Sequence, residues 1–160
     1  MKKVLIALDY NPTAQKVAEL GFILAKSMGA EVTLLHVMAH PIYYSTEEFS
    51  PIMGFSGFLK KGPLSMNSIE SLKKASVNFL KKSKQYLGDN TIHIIVEEGD
   101  ASEAILKAAK NLQADIIVIG SHSSRWLEDI FMGSVTEKVL KHTTIPLYII
   151  PTKNNNKLQK

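Results

Sequence analysis

The chain has 160 residues, of which 45% are hydrophobic and none is cysteine, and its formal net charge is +4. That length is typical of one domain with its own core. No apolar run approaches the roughly 20 residues that cross a bilayer, and without cysteine there are no disulfides, catalytic thiols or thiolate metal sites. The lysines are not interleaved with aromatic residues, so we do not expect nucleic-acid binding.

The chain opens with a continuous apolar run, KVLIAL from Lys3 to Leu8, as expected of a strand that is buried on both faces. The run ends at Asp9, too early for the core of a signal peptide, so we expect a cytoplasmic protein without a membrane segment. Pro12 then opens a helix that ends at Gly29. The apolar stripe of this helix consists of Val17, Leu20, Gly21, Leu24, Ala25 and Met28.

A second strand is predicted from Glu31 to Val37, followed by a long insertion at 38–65. The insertion contains three prolines and three glycines, so it is predicted to be a loop. It is also rich in aromatic residues. A dimer contact, a flap over a pocket, and packing onto its own domain are all open interpretations of this loop. A long helix with a lysine-rich, solvated face follows from Ser68 to Leu87.

Strand and helix alternate in the second half of the chain. We place a third strand from Thr91 to Glu97, a helix capped by Asp100, and a fourth strand from Asp115 to Ile119. A helix from Ser134 to about Lys141 and a fifth strand from Pro146 to Ile150 follow. Such alternation predicts an α/β fold, a parallel sheet with helices on both faces. The single domain would span residues 1–151, and residues 152–160 would form a disordered basic tail.

Glycines occur in the fourth crossover rather than in the first. Gly120 ends the fourth strand, and Gly133 precedes a helix that begins with Ser134, an arrangement that presents backbone N–H groups to an anion. Ser134 is expected to cap that helix, to touch a phosphate, or both. Neither the dinucleotide-binding fingerprint nor the P-loop motif is present in the sequence.

Ligands of open α/β sheets bind beyond the carboxyl ends of the strands, where the strand order reverses. If the reversal lies between strands one and four, Asp9 and Gly120 face each other across the crevice. Asp9 could instead only cap the first helix or its turn. The five histidines show no metal-ligand spacing, so we expect no dedicated zinc site.

The ordered set of motifs resembles the universal stress protein family along nearly the whole chain. The matching segments include the strand ends at Asp9 and Val37, the segment from Glu98 to Ala101, and the stretch from Ala114 to Gly120. The segments from Gly133 to Leu140 and from His142 to Pro151 also match. The resemblance implies an open five-stranded parallel sheet of order 3-2-1-4-5, of the adenine-nucleotide alpha-hydrolase-like type.

The ATP-binding members of that family carry G-x2-G-x9-G-[ST] in this crossover. Gly120, Gly133 and Ser134 match in register, whereas Ser123 replaces the middle glycine and either crowds a triphosphate or adds a hydrogen bond. The resemblance implies a nucleotide site whose ribose and adenine part and phosphate part are made by Ala7, Leu8, Asp9, Val37, Gly120, Ser121, Ser123, Gly133, Ser134 and Val135.

The function implied is that of a regulatory protein of the stress response that binds ATP, ADP or AMP, with or without Mg²⁺. No catalytic base is evident, so at most slow ATP hydrolysis is expected. The alternative is a dimeric interaction module of the same fold that binds no nucleotide. In either case we expect a homodimer through the strand at 146–150, because an apolar strand at a sheet edge is a natural pairing surface.

Overall fold

The computed structural model describes residues 1–38, 66–121 and 132–152 of the chain. Strands and helices alternate along these residues. The elements are β1 (Lys3–Ala7), α1 (Ala14–Ser27), β2 (Glu31–Met38), α2 (Met66–Leu87), β3 (His93–Glu98), α3 (Ala101–Leu112), β4 (Ile116–Gly120), α4 (Ser134–His142) and β5 (Leu147–Ile150). Residues 39–65 of the insertion, Ser123, and residues 153–160 of the predicted tail lie outside the described residues.

The five strands form one sheet of order β3-β2-β1-β4-β5, and every neighbouring pair is parallel. This confirms the predicted fold class and strand order. β1 lies in the centre of the sheet, where Val4 is in register with Val32 on one side and Ile116 on the other. The strand order reverses between β1 and β4, so the carboxyl ends of these two strands define the switch point.

The continuous apolar strands supply two cores, because successive side chains point to opposite faces of the sheet. Ile6, Leu34 and Val118 pack under α1 and α2 with Leu80. Leu5, Leu35 and Ile117 pack under α3 and α4 with partners that include Ile105 and Val139. Burying each such side chain stabilises the fold by about 1.5–3 kcal/mol relative to leaving it exposed.

The start of α1 differs from the prediction. Pro12 is not the first helical residue, since Thr13 is the N-cap and the helix begins at Ala14. The Ala14 N–H group donates to the carbonyl oxygen of Asn11 at 2.8 Å, which closes a four-residue turn with Pro12 in its second position, where its fixed φ is favourable. Leu20, predicted to lie in the buried stripe, is 37% exposed. Gly29 ends the helix as predicted, with a φ of 60°.

Side-chain hydrogen bonds set two further boundaries. Asp100 caps α3 as predicted, because its carboxylate accepts from the Glu103 N–H group at 3.0 Å. β3 begins at His93 rather than at Thr91, because the Thr91 N–H group donates to the Asp89 carboxylate at 2.8 Å in a preceding turn. The polar turn residue thus takes a backbone donor that the strand would otherwise use.

Thr152 is not part of a disordered tail, contrary to its assignment from the sequence. It is 7% exposed, and its N–H group donates to the hydroxyl oxygen of Ser121 at 3.0 Å. Thr152 is therefore packed as part of the folded domain. Among the described residues, no helix is long and apolar enough to cross a membrane.

Candidate functional site

A pocket of about 100 Å³ opens at the carboxyl edge of the sheet, at the switch point between β1 and β4. We refer to it as the β1–β4 pocket. Its lining consists of Ala7, Leu8, Asp9, Thr13, Ala14, Val17, Leu35, Val37, Ala101, Ile105, Ile119, Gly120, Val135, Thr136 and Thr152. The chain ends of β1, β2 and β4 and the first turns of α1, α3 and α4 therefore meet at this edge.

The structure brings six of the ten predicted site residues into this lining. They are Ala7, Leu8, Asp9, Val37, Gly120 and Val135. Gly133 and Ser134 precede Val135 at the start of α4 without lining the pocket, Ser121 is buried directly after β4, and Ser123 lies outside the described residues. The sequence analysis did not predict Thr13, Thr136 and Thr152 as lining residues. These threonines come from three separate parts of the chain, and no sequence motif links them.

Asp9 is at the rim of the pocket, and the residue as a whole is exposed to solvent. Its Oδ1 atom accepts from the Asn11 N–H group at 3.1 Å, which fixes the orientation of the carboxylate. The packed atoms around the carboxyl group desolvate it and raise its pKa above the ordinary 3.8, although the backbone hydrogen bonds oppose that shift. In its ionised form the group accepts hydrogen bonds and donates none.

Gly120 has a packing role that the sequence does not reveal. A Cβ atom at this position would lie 2.9 Å from Cγ2 of Thr152 and 3.1 Å from Cγ2 of Val17. Both distances are shorter than ordinary carbon contacts, so only glycine fits without a shift of its neighbours. The glycine is therefore required by the packing of the domain itself, whatever it contributes to a ligand.

Backbone and hydroxyl groups attach the start of α4 to the end of β4. The Thr136 hydroxyl donates to the carbonyl oxygen of Gly120 at 2.8 Å, and the Gly133 N–H group donates to the carbonyl oxygen of Ser121 at 2.7 Å. The Ser121 hydroxyl is buried and accepts from the Thr152 N–H group. Ser121 thus serves the structure of the crossover, and these bonds hold the first turn of α4 at the pocket.

Two of the helix starts at this edge differ in their capping. Asp100 caps α3 with its carboxylate and also lies 3.7 Å from the ammonium group of Lys138, so that end already carries an anion. The N-cap of α4 is Gly133, with no side-chain hydrogen bond, and Ser134 is the first helical residue rather than the cap. The first N–H groups of a helix lack intrahelical acceptors and carry partial positive charge. The start of α4 is therefore the better place for an anion.

A larger groove of about 700 Å³ lies between α1 and α2. It is lined by Tyr10, Asn11, Pro12, Ala14, Gln15, Ala18, Phe79, Lys82, Ser83 and Tyr86. Because it takes no residue from α3, β4 or α4, it lacks the convergent strand and helix ends of the switch point. The β1–β4 pocket is therefore the candidate site despite its smaller volume.

The strand order and the switch-point pocket define a doubly wound α/β protein. Within that class the chain belongs to the universal stress protein family, whose family model matches residues 1–151.

The chain is 30% identical over 157 residues to Universal stress protein MJ0577 of Methanocaldococcus jannaschii, and the match covers 96% of this chain and 97% of that protein. A solved structure of MJ0577 superposes with a TM-score of 0.72 at 29% identity, covering 96% and 97% of the two chains. Relatives below 25% identity share the fold. One is a universal stress protein in complex with cAMP, with a TM-score of 0.65 at 13% identity, covering 95% and 98%.

Another fold relative is a universal stress protein from Archaeoglobus fulgidus in complex with dAMP, with a TM-score of 0.57 at 18% identity. The match covers 94% of this chain and 98% of that one. Adenine nucleotides are therefore found with two proteins of this fold.

Proposed function

We propose that this protein is a regulatory universal stress protein that binds an adenine nucleotide in the β1–β4 pocket. The observation that carries the proposal is the arrangement of the pocket. An apolar recess has the Asp9 carboxylate at its rim and the start of α4, capped only by Gly133, beside it. Two relatives of the same fold, in complex with cAMP and with dAMP, support this choice of ligand.

The recess suits the base and the sugar. The recess is lined by apolar side chains, among them those of Leu35, Val37 and Ile105. Such an apolar surface suits a flat heterocyclic base. Asp9 would accept hydrogen bonds from ribose hydroxyls. With a volume of about 100 Å³, the recess is smaller than the roughly 300–1,000 Å³ of whole-ligand sites, so the phosphates would extend over its rim.

The phosphates would lie at the first turn of α4, near the backbone of Gly133, Ser134 and Val135. Phosphate at a helix N-terminus is favoured by the free N–H groups and by the helix dipole. Among the described residues no cluster of three or more metal-ligating side chains occurs, so Mg²⁺ would arrive on the phosphates. Asp9 is the one carboxylate in the described lining, and we therefore propose binding with at most slow hydrolysis.

Isothermal titration of the protein with ATP, ADP and AMP, with and without Mg²⁺, tests this function. We expect micromolar binding, and we expect Asp9→Asn to weaken it by about 10-fold or more, because hydrogen bonds to a charged group contribute about 1.5–3 kcal/mol. The variant Ser123→Gly restores the glycine pattern of the ATP-binding relatives. Absence of binding by both the natural chain and Ser123→Gly would refute the proposal.

A dimeric interaction module without nucleotide is the second candidate, and the edge strand β5 favours it. β5 pairs with β4 at one end of the sheet order, and Tyr148 on it and Leu140 on α4 are 43% and 48% exposed. Light scattering of the natural chain and of Tyr148→Lys measures whether this edge joins two copies. A dimer that Tyr148→Lys dissociates, combined with silence in the titrations, would replace the first candidate with the second.

A further inference from the structure

His36 is buried on the face of the sheet opposite most of the β1–β4 pocket lining. It is 3% exposed and stands on β2 in register with Val96 of β3. Its neighbours on the strand, Leu35 and Val37, point to the other face and line the pocket. A titratable ring is thus placed directly behind the candidate site without touching the ligand volume.

The hydrogen bonds of His36 determine its tautomer. The Nδ1 atom lies 2.8 Å from the carbonyl oxygen of Leu8, and a carbonyl only accepts, so Nδ1 carries the proton. The Nε2 atom is buried and has no hydrogen-bond partner among the described residues. The ring is therefore a neutral donor to the last residue before Asp9.

Aromatic packing connects the same ring to the residue after Asp9. The His36 and Tyr10 ring centroids are 4.2 Å apart, and Phe79 of α2 lies 5.6 Å from His36. The Ser76 hydroxyl donates to the carbonyl oxygen of Leu72, so the Tyr10 hydroxyl, 2.7 Å away, donates to Ser76. Both neighbours of Asp9 are thus fixed from behind the sheet.

We propose that His36 is a positioning residue of the nucleotide site: neutral His36 fixes the turn that presents Asp9, and protonation drives the ring out of its buried place, because the charged Nε2–H group has no acceptor there among the described residues. Departure of the ring breaks its contacts with Leu8 and Tyr10, releases the turn and weakens nucleotide binding. This inference rests on the proposed function. It gives nucleotide binding a dependence on pH that arises from a residue outside the pocket lining.

Protonation of Nε2 would place a charge in a space that offers it no acceptor among the described residues. Burial accordingly lowers the pKa of His36 below 6.5, opposed by the hydrogen bond to Leu8. Tyr10 from the turn, Phe79 from α2 and Val96 from β3 adjoin the ring. The titratable groups of the adjacent α1–α2 groove are Tyr10, Lys82 and Tyr86. Two carboxyl side chains are also near: Asp9 stands between Leu8 and Tyr10 at the rim of the pocket, and Glu98 follows Val96 by two positions on the same face of β3. Neither forms a hydrogen bond with Nε2.

Two variants separate the hydrogen bond from the titration. His36→Asn retains an N–H donor near the Nδ1 position but does not titrate, and His36→Leu removes the donor. ADP affinity is measured by isothermal titration at about pH 7.5, above the ordinary pKa of histidine, and at a pH below the lowered pKa of His36, which NMR of the ring locates. The ADP phosphates are the same in both experiments, so the difference between the natural chain and His36→Asn reports the titration of His36 and its effect on the Asp9 turn.

We expect His36→Asn to bind ADP like the natural chain at the higher pH, and His36→Leu to bind about fivefold more weakly because one hydrogen bond is lost. On acidification the natural chain should lose about fivefold more affinity than His36→Asn. Equal losses in these two proteins would overturn the inference and leave the proposed function intact. Absence of binding of ATP, ADP and AMP by both the natural chain and Ser123→Gly would instead overturn the proposed function, and this inference with it.

NMR of the ligand-free protein tests the coupling itself. The amide signals of Asp9 and Asn11 should follow the titration of the His36 ring in the natural chain and should not show this transition in His36→Asn. Amide signals that ignore the ring titration would overturn the inference, whatever the nucleotide titrations show.

Discussion

Gly120 and Thr152 are in such close contact that a Cβ atom on the glycine would lie 2.9 Å from Cγ2 of the threonine. The contact joins the end of β4 to the residue that follows β5 by two positions. The Thr152 N–H group also donates to the Ser121 hydroxyl, so the Thr152 backbone cannot move away without loss of a buried hydrogen bond. The packing where Gly120 and Thr152 line the candidate site therefore leaves room for glycine only.

Gly120→Ala is expected to lower the free energy of unfolding by about 1–3 kcal/mol, the usual effect of overpacking a filled site. Urea denaturation followed by circular dichroism measures the change. The matched control combines Gly120→Ala with Thr152→Ser, which removes Cγ2 and keeps a hydroxyl. Recovery of stability in the double variant would assign the effect to this contact, and an unchanged loss would contradict it.

Leu80 should carry much of the attachment of α2 to the sheet, since it is fully buried in the core under α1 and α2. We expect Leu80→Ala to lower the free energy of unfolding by about 2–5 kcal/mol. Ile23 is 62% exposed on α1, and Ile23→Ala should change stability by less than about 0.5 kcal/mol. Comparable losses for both variants in denaturant would show that α2 is not packed as described.

The cap on α3 predicts acid sensitivity. The Ser102 hydroxyl and then the Glu103 N–H group lower the pKa of Asp100 below 3.8, so the folded state favours the carboxylate. The stabilisation is present above 3.8 and is lost as the pH falls through the lowered pKa of the folded state. Asp100→Ala should cost about 1 kcal/mol near neutral pH, and Asp100→Asn, which keeps a capping oxygen, should cost less. A stability profile of Asp100→Ala parallel to that of the natural chain down to strong acid would refute this assignment.

His36 should make stability itself depend on pH in a milder range. Its folded-state pKa is lowered, so the unfolded chain binds the proton more readily. The contribution of neutral His36 is complete above its ordinary value of 6.5 and declines as the pH falls from there toward the lowered pKa. Thermal melts of the natural chain and His36→Asn across this range measure the difference. Melting temperatures that fall in parallel would show that burial of this ring does not oppose its protonation.

Local sequence pattern determined much of this protein. The continuous apolar runs predict strands buried on both faces, and their alternation with amphipathic helices predicts a parallel sheet. Asp100 and Gly29 marked helix ends correctly, because capping and left-handed turns depend on residues close in the chain. The strand order came from the family resemblance, and the structure confirms it.

Tertiary structure decided the contacts between distant positions. Examples are the contact of Gly120 with Thr152, the hydrogen bond from His36 to Leu8, and the turn before α1 that contains Pro12. These features follow from how strands and loops pack together. Such contacts depend on strand register and on the volumes of neighbouring side chains, neither of which is encoded in a local periodicity. The sequence by itself determined which elements form, and packing decided which side chains complete the edge of the sheet where the candidate site lies.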